Sequence, residues 1–131
     1  MAIRIIQLGT ARHPDEGLRI GTVRRPPRGV AKSEFAARNY YDTWLPLLSP
    51  SAELMVKGQR AQKSADSKAW AAFERGFRAQ MNQSDAARTL DLLAALSRQT
   101  NFSLGCYCQD EQRCHRSILR ALLAQRHARL C

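Results

Sequence analysis

Residues 101–123 read NFSLGCYCQDEQRCHRSILRALL, and their punctuation decides the fold class. Asn101 to Gly105 is a short apolar run with strand character. Ile118, Leu119, Leu122 and Leu123 recur at the spacing of a buried helix face. A polar loop separates the two. Strand, loop and helix in this order form the unit of open α/β sheets, which place their sites beyond the carboxyl ends of the strands. The stretch from Cys106 to Ser117 carries three of the four cysteines, one of the three histidines and two arginines. It locates a candidate site without naming a reaction.

Outward from that turn, strands are expected at both ends of the chain and helices between them. Ile3 to Leu8 and Leu18 to Val23 read as strands, joined by the loop Gly9 to Gly17. Nine residues are too few for a helical crossover, so the pair is either a hairpin or a parallel pair with a tight link. A basic turn follows, Arg24-Arg25-Pro26-Pro27-Arg28-Gly29, in which two prolines exclude regular structure. Ser33 is a good N-cap for a helix running to about Leu48, with Ala37, Tyr41, Trp44, Leu45 and Leu48 on one face and Pro46 kinking its last turn. A short helical piece is expected around Glu53 to Lys57, then a loop to Ser64. Asp66 or Ser67 caps a helix whose Trp70, Phe73, Phe77 and Met81 form one stripe, with Glu74 and Arg78 paired on its surface. Ser84 or Asp85 caps another, ending near Thr100. The expected architecture is a small three-strand, largely parallel sheet covered by about five helices, in one compact α/β domain over residues 1–131.

At 131 residues, a single core needs no disulfide or metal to support it. Apolar content of 44% with 24% charged residues is that of an ordinary globular chain. There is no apolar run of membrane-spanning length and no signal-peptide pattern, so the expected location is the cytoplasm, with reduced thiols. Net charge is +10, and its distribution is uneven. Residues 1–32 contribute +5 and residues 113–131 another +5, while the middle is neutral. If the two ends meet in the fold, they make a face that attracts anions. A solvated basic surface that only aids solubility is the plain alternative.

The residues of the candidate site support several chemistries. Cys106 and Cys108 share a strand face if the strand persists that far. Cys-x-Cys-x5-Cys-His offers four zinc ligands, but structural zinc sites favour Cys pairs spaced by two to four residues, and adjacent Cys114 and His115 on one ion would be strained. No metal and no cofactor are therefore assigned. A phosphatase-like anion loop is also rejected. The glycines that converge amides on a phosphate are missing, Asp110 and Glu111 would repel one, and Arg113 comes one residue early after Cys108. A looser anion site at the start of the last helix survives, where amides are free and the helix dipole is positive. The same dipole and the neighbouring arginines favour a Cys114 thiolate, which would outreact Cys131 if its sulfur reaches a pocket.

Anion-binding candidates are Arg24, Arg28, His115, Arg116 and Ser117. The thiol cluster is Cys106, Cys108 and Cys114, and Cys114 and His115 are the catalytic candidates. A redox disulfide between Cys106 and Cys114 stays open. Each has a plainer role: Cys106 as core, His115 bonded to a strand end, Arg116 paired with Asp110 or Glu111, and Tyr40, Tyr41 and Trp44 packed as core rather than stacked on bases.

The chain resembles the YeaO-like group of the domain-of-unknown-function 488 family over nearly its whole length. The resemblance rests on Val23-Arg24-Arg25-Pro26-Pro27-Arg28-Gly29-Val30, Tyr41-Asp42-Thr43-Trp44-Leu45, Leu48-Ser49-Pro50-Ser51, Trp70-Ala-Ala-Phe73 with Phe77-Arg78, and Cys114-His115-Arg116-Ser117 with Cys106 eight residues earlier. Val23 falls where the group usually has aspartate, and Pro26 where it has tryptophan. The resemblance implies a compact α/β fold of small bacterial cytoplasmic proteins and no particular activity. Three functions follow from the residues: an anion-binding domain for a phosphate-bearing or other anionic small molecule, with or without catalysis; a weak, sequence-independent nucleic-acid-binding module; or a thiol redox or metal-binding protein. No membrane partner is expected.

Overall fold

A computed structural model describes residues 2–64 and 66–131. Among them are four strands, β1 (Ile3–Gln7), β2 (Leu18–Gly21), β3 (Thr43–Trp44) and β4 (Phe102–Cys106), and four helices, α1 (Ala52–Lys63), α2 (Ser67–Met81), α3 (Ser84–Leu96) and α4 (His115–Gln125). The sheet runs β1-β4-β2-β3 with every pair parallel. The last strand is therefore inserted between the first two, in register Ile3–Phe102 on one side and Leu18–Phe102 on the other. This explains how a short loop can join β1 to β2. They are neither a hairpin nor neighbours, and the loop only has to step across one strand. No helix among the described residues is long and apolar enough to cross a membrane.

The two faces of the sheet are covered differently. Ile3, Ile20, Phe102 and Leu104 pack against Phe73, Phe77 and Met81 of α2, Leu90 and Leu93 of α3, and Ile118, Leu119 and Leu123 of α4. α1 sits outside α2, with Gly58 against the Phe73 ring and Leu54 against Gly76. On the opposite face Arg19, fully buried, makes a two-bond ion pair with Glu16 (2.6 and 2.9 Å) and donates to the carbonyls of Thr10 and Asn39. Ser103 also donates to Glu16 (2.7 Å). A buried guanidinium needs this many acceptors, and they come from irregular chain that a helix would have withdrawn.

That requirement accounts for the main departure from the helix expected over Ser33–Leu48. The segment instead forms a 3-10 turn at Lys32–Glu34, an irregular run through Asn39 (φ 64°), strand β3, and a second 3-10 turn at Pro46–Leu48. Its apolar residues serve the sheet: Tyr41 lies over Gly21, and the Trp44 indole donates to the Val23 carbonyl (2.6 Å). The sheet thus has four strands rather than three, and the α-helices number four among the described residues rather than about five. The loop expected over Lys57–Ser64 is instead the second half of α1, which Ser51 caps. Gly58, a poor helix former, is the residue that lets α1 approach Phe73. Asp66 caps α2 through the Lys68 amide, and Glu74 and Arg78 pair as expected. α3 begins after Gln83, not Ser84 or Asp85, and stops at Leu96, short of Thr100.

Candidate functional site

β4 ends on the helix-facing side of the sheet with Cys106. The chain then turns through a 3-10 turn at Glu111–Arg113 into α4. Cys114, the N-cap of α4, is extended (φ −124°, ψ 151°), so its side chain turns back toward β4. The three sulfurs gather there. Cys106 Sγ lies 3.9 Å from Cys108 Sγ, and the Cys106, Cys114 and His115 ligand atoms are all within 4.8 Å of one another. Cys106 and Cys114 are buried, and Cys108 is partly exposed.

His115 is buried against the Phe77 ring, and its Nε2 sits 2.7 Å from the Thr22 carbonyl. A carbonyl can only accept, so Nε2 carries the proton and Nδ1 presents a lone pair, 3.7 Å from Cys114 Sγ. Burial holds the ring's pKa down, to about 4, and the ring is neutral at physiological pH. Arg116 is also buried. It donates from Nε to Cys114 Sγ (3.4 Å) and from Nη2 to the Cys108 carbonyl (2.6 Å). It does not pair with Asp110 or Glu111; Glu111 is held by Arg120. Ser117 donates its hydroxyl to the Cys114 carbonyl.

Hydrogen bonds from the Cys106 and Cys108 thiols pull the Cys114 pKa down against the opposing effect of burial, with help from the Arg116 backbone and side-chain N–H groups. The same bonds, to Cys108 and Cys114, and then burial push the Cys106 thiol up. One negative charge shared by three sulfurs, with Arg116 as its counterion, fits both shifts.

A small cavity of about 90 Å³ opens beside the cluster, between the end of β4 and helices α1 and α2. Cys106, Cys108, His115 and Arg113 line it, with Gln62 and Trp70 opposite. The volume is that of roughly three waters. Cys114 does not line it and is only 1% exposed, so the thiolate favoured by charge is closed to a bulky reagent. Arg113 was not among the residues singled out by sequence for this site. Its guanidinium lies 5.8 Å from the Trp70 ring centroid, and its Nη1 is buried with no hydrogen-bond partner among the described residues. The only signal in the sequence was its position just ahead of Cys114.

The turns after β2 and β4 lie side by side, joined by the Thr22–His115 bond and by the Tyr107 hydroxyl donating to the Arg25 carbonyl (2.8 Å). The arginines of the two turns nevertheless separate. Arg24 and Arg28 are exposed; Arg28 lines a shallow cleft with Arg25, Pro26, Pro27, Tyr40 and Tyr107, whereas Arg116 is enclosed. The Cys108 carbonyl draws Arg116 inward. A larger groove of about 480 Å³ lies along β3 and holds none of the thiol cluster. Among its lining residues is Tyr41, whose buried hydroxyl has no partner among the described residues. Of Tyr40, Tyr41 and Trp44, only Tyr41 is core; Trp44 is 43% exposed.

Searches among curated proteins and among solved structures returned no significant match. Residues 3–127 do match the family model DUF488-N3a, described as the active DUF488-N3 subclade, and on that match the chain belongs to the DUF488 family in which the sequence placed it.

Proposed function

We propose that the carboxyl edge of the sheet binds the charged group of a phosphate-bearing or other anionic small molecule, and that Arg113 holds it. The observation that carries this reading is the buried Arg113 Nη1, which has no hydrogen-bond partner among the described residues and belongs to a side chain lining the cavity beside Cys106, Cys108 and His115. A buried guanidinium N–H without an acceptor costs on the order of 1–3 kcal/mol, and a small turn of the Arg113 side chain toward an anion in the cavity would recover it. Arg116 takes the inner role, bracing Cys108 and Cys114, and Arg24 and Arg28 remain outside as attractors of negative charge.

Titrating the protein with inorganic phosphate and with a small phosphomonoester, followed by calorimetry, tests the reading. Arg113→Gln should weaken binding at least tenfold and Arg28→Gln by less than threefold. Equal binding by wild type and Arg113→Gln would reject it.

A second reading rests on the outer cleft. Arg25, Arg28, Tyr40 and Tyr107 put cations beside two aromatic rings 6.3 Å apart, a combination suited to weak, sequence-independent contact with single-stranded nucleic acid.

A further inference from the structure

We infer that Cys106, Cys114 and His115, joined by the partly exposed Cys108 as it turns inward, form a tetrahedral site for a thiophilic d10 cation such as Zn2+. Zinc bonds of about 2.3 Å to sulfur and 2.0–2.1 Å to nitrogen place tetrahedral ligands about 3.8 Å apart for two sulfurs and about 3.6 Å for sulfur and nitrogen. The Cys106, Cys114 and His115 ligand atoms lie within 4.8 Å of one another, with Cys114 and His115 already 3.7 Å apart, so three corners of the tetrahedron are gathered; Cys108 Sγ, 3.9 Å from Cys106 Sγ, lies outside that group and has to move inward to supply the fourth. The strain expected from adjacent ligands is relieved by the backbone. Cys114 is extended and His115 is the first helical residue, so their side chains converge rather than diverge.

The surroundings are those of a metal site. The Thr22 carbonyl fixes the protonated nitrogen of His115 and leaves Nδ1 as the ligand, the orienting contact that metal-bound histidines ordinarily have. Arg116 Nε donates to Cys114 Sγ, and Gln62 Nε2 approaches Cys108 Sγ at 3.5 Å. N–H donors to thiolate sulfur spread ligand charge. Three thiolates and a neutral imidazole on a divalent ion carry one net negative charge, and the buried Arg116 guanidinium balances it. The ligands are soft, so Mg2+ and Ca2+, which take oxygen donors, do not suit the site. The cavity lined by Cys106, Cys108 and His115 is the route of entry.

This inference is independent of the anion reading, because Arg113 supplies no ligand. Metal-stripped, reduced protein titrated with Co2+ should bind one equivalent, with a sulfur-to-cobalt charge-transfer band and the intense visible envelope of tetrahedral cobalt. Cys131→Ser should give the same spectrum, and Cys114→Ser and His115→Ala should lose it. Should those variants fail to fold, wild type alone decides: stoichiometric Zn2+ should raise its melting temperature by several degrees, reversed by a chelator, and Mg2+ should not. No charge-transfer band, an undiminished band in Cys114→Ser, or a melting temperature indifferent to Zn2+ would each overturn the site.

Discussion

Replacing Glu16 with glutamine would leave the Arg19 guanidinium in the same enclosure without its counterion. Burial by itself would raise the Glu16 carboxyl pKa, but hydrogen bonds from Arg19, Ser103 and the His13 amide overcome it and lower the value from 4.5 to about 2. At about 1.4 kcal/mol per unit, that shift amounts to about 3 kcal/mol of stability. Removing one partner of a buried pair carries a cost of the same order, roughly 3–5 kcal/mol. In a chain of this size, the loss corresponds to a melting temperature lower by roughly 10 °C. The sign with pH follows from the folded carboxyl being the stronger acid. Its contribution is fully present above pH 4.5, fades as pH falls toward 2, and is gone below. Urea unfolding of wild type and Glu16→Gln at pH 7, 4.5, 3.5 and 2.5 should give a stability gap that is largest at pH 7 and closes through the acid window. A gap under about 1 kcal/mol at pH 7, or one that does not narrow between pH 4.5 and 2.5, would refute the network as the anchor of this sheet face.

Three further outcomes follow. Gly17 has φ +74°, and a Cβ there would collide with the Asn101 backbone carbonyl, so Gly17→Ala should destabilise by about 2–3 kcal/mol in urea unfolding. Timed alkylation read by mass spectrometry should label exposed Cys131 first, Cys108 second, and buried Cys106 and Cys114 only as the fold opens; early labelling of Cys114 would mean that its thiolate reaches solvent. Binding to single-stranded nucleic acid should weaken steeply between low and physiological salt, and the double substitution Arg25→Ala with Arg28→Ala should reduce the salt slope by about 1–2.

Much of the site could be read from sequence because it is local. Strand, loop and helix are contiguous from Asn101 to Leu123, and the cysteines, His115 and Arg116 fall at their junctions. The Trp70-Phe73-Phe77-Met81 stripe was legible for the same reason, its period matching the helix it forms. What escaped is set by distant partners. The helical period over Ser33–Leu48 gave way because the Arg19 side chain needs the carbonyl of Asn39, 20 residues on, and the Arg19 amide needs the Asp42 carboxylate. Gly58 reads as a helix breaker until its neighbour Phe73 is in place. The separate fates of Arg24 and Arg116, one in solvent and one under the sheet edge, depend on which carbonyl each can reach. Arg113 emerges as a site residue only once α1 and α2 close around it.

A crystal structure of the protein grown in phosphate tests the central claim most directly. The account predicts tetrahedral density in the cavity bounded by Cys106, Cys108 and His115, with an oxygen within hydrogen-bond distance of Arg113 Nη1. Phosphate confined to the outer turn at Arg25 and Arg28, with only water against Arg113, would contradict it.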